Sequence, residues 1–85
     1  DLAERLGLRP PARLVLLCLA QHADQDGWCW PSKTRIVART GLDRKTVLEA
    51  IRDLAGRGMI LLELGGGGRP NRYRLLLSEG RSKNG

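Results

Sequence analysis

Phenylalanine is absent from this 85-residue chain, and its aromatic complement is two tryptophans and one tyrosine. A platform that stacks successive bases of a single strand needs several exposed rings, so that mode of recognition is excluded. Cysteine is nearly as scarce. Cys18 and Cys29 are too few for a disulfide framework, and Cys18 stands in a strongly apolar run, which fits a buried thiol and a reducing cytoplasm. Long hydrophobic runs are also missing. Leu14 to Ala20 is far too short to span a bilayer, and Arg13 and Gln21 bound it. No secretory signal is visible, so no membrane partner is expected.

The groups that chemistry needs are equally sparse. His22 is the single histidine. Without a convincing nucleophile or paired carboxylates it makes no active site, and no enzyme is expected. Gly65-Gly66-Gly67-Gly68 lacks the Lys-Ser or Lys-Thr that follows a phosphate-binding loop. Cys18 and His22 are four apart, with Cys29 nearby, but a fourth ligand and Cys-x-x-Cys spacing are missing. No metal, cofactor or small-molecule ligand is therefore expected, and a buried thiol beside a surface imidazole accounts for the pair.

What the chain does have is positive charge, +6 overall with a pI near 10.4, which favours an acidic partner, nucleic acid first. Residues 1–31 carry three basic and four acidic side chains, residues 32–58 seven and three, and residues 59–85 five and two. The excess therefore lies wholly in the last two thirds.

The length allows one domain. Residues 1–9 read as an N-terminal segment with room for a short helix, 10–77 as the folded domain, and 78–85 as a polar, flexible tail. Asp1 rather than methionine opens the chain, which leaves room for a longer parent protein. Arg9-Pro10-Pro11 reads as a helix entry, since proline is tolerated in the first turn. Ala12, Val15, Leu16, Leu19 and Ala23 then follow one helical face, widened by Leu14 and Cys18. Leu17 falls on the opposite side, where Leu2, Leu6 and Leu8, or a second subunit, would cover it. Asp24-Gln25-Asp26-Gly27 is a turn by composition, and Trp28-Cys29-Trp30-Pro31 an extended arm with its indoles on the helices.

Ser32 is an N-cap for a short helix, Lys33 to Thr40, with Ile36 and Val37 inward. Gly41 supplies a left-handed end, Leu42 enters the core, and Asp43 caps a third helix from Arg44 to Arg57. Val47, Ala50, Ile51 and Leu54 form its buried stripe. The 100° step then leaves Lys45, Glu49 and Arg52 outward. After Gly58, Met59 to Leu64 and Arg72 to Leu77 read as two strands joined by the glycine run. The fold class is mainly α with a small β-hairpin, a three-helix core plus a two-stranded wing.

Two capped helices joined by Thr40-Gly41-Leu42-Asp43 have helix-turn-helix spacing. Trp30-Pro31-Ser32, Arg39 through Val47, Ala50 through Leu54 and Arg57-Gly58-Met59-Ile60 together resemble a bacterial winged helix-turn-helix family. Its members occur in phage and plasmid replication initiators and related transcription regulators. Gly68-Arg69-Pro70-Asn71-Arg72-Tyr73 is similar to that family's wing. One departure is Asp43, where serine or threonine is the commoner cap.

The resemblance implies a double-stranded DNA partner, with helix 43–57 in the major groove and wing 64–73 on the backbone or minor groove. It assigns Arg44, Lys45, Thr46, Leu48, Glu49 and Arg52 to base contacts. Ser32, Lys33, Thr34 and Arg35 fall to the phosphates, where helix-start amides favour an anion, and Arg69, Asn71 and Arg72 to the wing. Exposed Leu17 leaves room for a homodimer. The rival is a winged helix used for protein contact through Leu17, Leu48 and Leu61, since fold does not fix function.

Overall fold

The computed structural model describes residues 7–76. Helix α1 spans Pro10–His22, strand β1 Trp28–Cys29, helix α2 Lys33–Thr40, helix α3 Arg44–Gly56, strand β2 Ile60–Glu63 and strand β3 Arg72–Leu75. The expectations for residues 1–6, including Leu2 and Leu6, and for Leu77 and the tail lie outside the described residues.

α1 begins as its prolines require, with Pro at the first helical positions and Arg9 in extended conformation before it. The buried side of α1 is formed by Ala12, Val15, Cys18 and Leu19. Against it pack Ile36 from α2 and Val47, Ala50, Ile51 and Leu54 from α3. Each large aliphatic side chain so buried contributes about 1.5–3 kcal/mol. α3 closes with paired bonds, the Gly58 amide to the Ala55 carbonyl and the Met59 amide to the Leu54 carbonyl, both at 3.0 Å. This Schellman arrangement satisfies carbonyls the helix leaves open and turns the chain into β2.

The sheet departs from the expected two-stranded hairpin. Three antiparallel strands run in the order β1-β3-β2. Trp28 pairs with Arg74 and Cys29 with Tyr73, while Leu61, Leu62 and Glu63 face Arg74, Tyr73 and Arg72. Alternation along the strands sends Cys29, Leu62 and Tyr73 toward the helices and Trp28, Leu61, Glu63, Arg72 and Arg74 outward. Cys29 and Tyr73 are buried in the core.

Three expectations are corrected. The arm's indoles do not both seat on the helices: Trp28 lies beneath Arg72 and Arg74 on the outer sheet face, and Trp30 is 54% exposed. Leu14 does not widen the buried face of α1: three residues before Leu17, it lies on that same outer side and is 42% exposed. Leu8 does not cover Leu17. It enters the core at 2% exposure, held by its carbonyl accepting from Arg13 Nε at 2.9 Å, and Leu17 stays 57% exposed.

Candidate nucleic-acid interface

The turn between α2 and α3 is built from local chemistry. The Ser32 hydroxyl accepts from the Arg35 amide at 3.0 Å, capping α2. At the other end the Gly41 amide donates to the Val37 carbonyl at 2.9 Å, and the positive φ of 77° at Gly41 then turns the chain out of the helix. Thr40 ties both sides. Its hydroxyl donates to the Ile36 carbonyl at 2.7 Å and accepts from the Leu42 amide at 3.2 Å. Leu42 packs against the core and locks the crossing of the two helices.

Asp43 occupies the N-cap position of α3 in extended conformation, but, contrary to expectation, its side chain makes no capping hydrogen bond to the helix amides. Its carboxyl is held below the usual carboxylate range, chiefly by the neighbouring Thr46 hydroxyl, with nearby Lys45 adding to the effect. Thr46 is half-buried. Leu48 is also half-buried, whereas Arg44, Lys45, Glu49 and Arg52 are exposed. Among the described residues the salt bridges fall elsewhere, Arg57 with Asp53 at 3.0 Å and Arg72 with Glu63 at 3.2 Å. Lys45, Glu49 and Arg52 are thus unpaired on the open side of a helix whose other side is buried.

Side chains far apart in sequence meet beside this helix. An open groove of about 260 Å³ is lined by Ser32, Lys33 and Thr34 from the start of α2, Arg44 from α3, and Arg69 and Asn71 from the β2–β3 loop. Pro31, Pro70 and Tyr73 complete it. Three sets of predicted contacts thereby share one wall. Arg35 faces an adjoining hollow with His22, Trp30 and Ser32. On the opposite flank, Thr46 and Glu49 line a crevice of about 430 Å³ across from Arg9. Sequence reading had used Arg9 only as a helix entry, because nothing local ties it to α3.

The wing has its own internal order. Asn71 Oδ1 accepts from the Gly65 amide at 2.9 Å and the Arg69 amide reaches the Gly66 carbonyl at 3.0 Å, closing the loop. Arg72 is held twice, by Glu63 and by the Trp28 ring 4.2 Å from its guanidinium carbon. Arg69 is exposed and makes no such side-chain contact. Asn71 and Arg72 therefore brace the wing, and Arg69 is its free cation among the described residues.

Tyr73, missed by the sequence reading as a site residue, lies fully buried along the groove, its hydroxyl without a hydrogen-bond partner. Burial pushes its phenol up. His22 Nδ1 donates to the Cys18 carbonyl at 2.8 Å, with the Cys18 sulfur 4.0 Å away. That backbone bond occupies the nitrogen nearest the thiol. Among the described residues no three His, Cys, Asp or Glu side chains gather as a metal site, and no helix is long and apolar enough to cross a membrane.

Three helices, the tight α2–α3 turn and a sheet carrying a glycine-tipped hairpin define a winged helix-turn-helix. Residues 6–60 match the model of a helix-turn-helix domain family, well over half of the chain, and the chain belongs to that family. Comparison with curated proteins and with solved structures returns no match. The family match ends where β2 begins, so the wing is described by the fold alone.

Proposed function

We propose that this domain binds double-stranded DNA at specific sites, with α3 in the major groove and the wing on the backbone or minor groove. The observation that carries the reading is the unpaired, exposed set Lys45, Glu49 and Arg52 beside a groove where Lys33, Arg44 and Arg69 converge. Long cations at a capped helix start suit phosphate oxygens, and an outward mix of donors and one acceptor suits base edges. The domain acts as a binding module without catalysis, metal or cofactor. Transcription control or replication initiation in a bacterial, phage or plasmid setting, in the cytoplasm, is the process it serves. Leu14 and Leu17, exposed side by side on α1, support a homodimer on paired half-sites.

Those leucines also favour the rival, protein docking without DNA contact. Equilibrium binding of the domain to duplex across a salt series separates the two. Counterion release predicts log K falling with log salt at a slope of about −4 to −6. A flat response, or no duplex binding, overturns the proposal. Selection of bound duplexes from a random pool then reads the site, and a palindrome reports the dimer.

A further inference from the structure

We propose that Trp30, with Leu64 and Pro70 beside it, forms an apolar seat for the sugar face of one DNA strand, between flanking phosphates held by Arg35 and Arg69. The inference rests on the DNA-binding reading and adds a nonionic contact to it. Each of the other two aromatic side chains has a structural use: Tyr73 is fully buried, and Trp28 lies under Arg72 and Arg74. Trp30 has neither. It is 54% exposed, and Leu64 close by is 77% exposed.

The position of Trp30 argues for a ligand along the groove. On one side it shares a hollow with Pro31, Ser32 and Arg35. On the other it shares a second hollow, about 450 Å³, with Leu64, Arg69, Pro70 and Arg72. Both hollows have walls in common with the 260 Å³ groove, through Pro31 and Ser32 at one end and Arg69 and Pro70 at the other. Trp30 therefore stands where a strand following the helix start and the wing passes. Three arginines against one glutamate, itself paired with Arg72, make these surroundings complementary to an anionic chain. Bases in a duplex are stacked and closed to a side chain outside the grooves, so a lone indole there meets deoxyribose.

The test compares the unaltered protein with Trp30→Ala and Arg69→Ala on one selected duplex across the salt series. Trp30→Ala is expected to lose affinity about five- to tenfold at every salt concentration, with the slope of log K against log salt unchanged. Arg69→Ala should instead make that slope shallower by about one. With Trp28→Phe, which leaves Trp30 as the single indole, duplex should shield it from acrylamide quenching. Duplex binding with Trp30 equally quenched, or with Trp30→Ala at parental affinity, overturns the seat and leaves the DNA reading standing. Failure of the unaltered protein to bind any duplex overturns both.

Discussion

The guanidinium of Arg72 lies over the Trp28 indole, its carbon 4.2 Å from the ring centroid. The same side chain pairs with Glu63 across the β2–β3 ladder at 3.2 Å. A cation over an aromatic face and a half-exposed ion pair each contribute modestly, about 0.5–1 kcal/mol. Arg72→Ala is accordingly expected to lower stability by about 1 kcal/mol, read as a shift in urea midpoint. An unshifted midpoint would mean that the two contacts bind nothing together in solution.

Lys45 and Arg52 are open-side cations of α3 that form no salt bridge among the described residues. If they read base edges, Lys45→Ala and Arg52→Ala each weaken the selected duplex by about 1–3 kcal/mol and random duplex far less. Competition titrations with both duplexes measure the difference. Equal losses on the two would assign these side chains to phosphates.

Gly65 and Gly66 are neighbours in the wing with opposite tolerances. A Cβ on Gly65 would run into the backbone carbonyls of Arg69 and Pro70, whereas one on Gly66 meets open space. Gly65→Ala should force the loop apart, break the Gly65–Asn71 bond and cost about 1–3 kcal/mol of stability. It should also weaken duplex binding through the displaced Arg69. Gly66→Ala should leave both nearly unchanged. Identical unfolding midpoints for the two variants would contradict the closed loop.

Cys29 gives the domain an alkaline limit. Burial, with lesser contributions from Cys18 and Asp24, raises its thiol from 9.0 to about 11. The folded state thus holds this proton more tightly than the unfolded chain. Its stability contribution is complete below about pH 9 and is lost as pH rises toward 11, at up to about 1.4 kcal/mol per pH unit. Urea midpoints between pH 8 and pH 11 (~ one reading per half unit) should fall less steeply in Cys29→Ala than in the parent. Parallel curves would show that the thiol does not titrate differently on folding.

Much of the helical frame was legible because its signals are local. Ser32 before an eight-residue helix, Gly41 where the chain needs a left-handed residue, and the Val47-Ala50-Ile51-Leu54 stripe all act within a few residues of themselves. The same holds for the open face of α3, since a buried stripe dictates which side chains point away. β1 was not legible as a strand. Two residues carry no period, and Trp28 and Cys29 become a strand only because Arg74 and Tyr73, distant in sequence, supply the hydrogen-bonding edge.

By itself the amino-acid order determined the three helices, the Ser32 cap and the Gly41 stop, the tight turn and the concentration of positive charge after residue 31. Tertiary packing alone decided that Arg69 would stand beside Ser32 and Arg44, that Arg72 would be tied to Trp28 and Glu63, and that Trp30 would remain uncovered. Caps and periodicity are written in contacts a few residues long. Neighbours across a groove depend on how the sheet closes against the helices, and that is settled by the core as a whole.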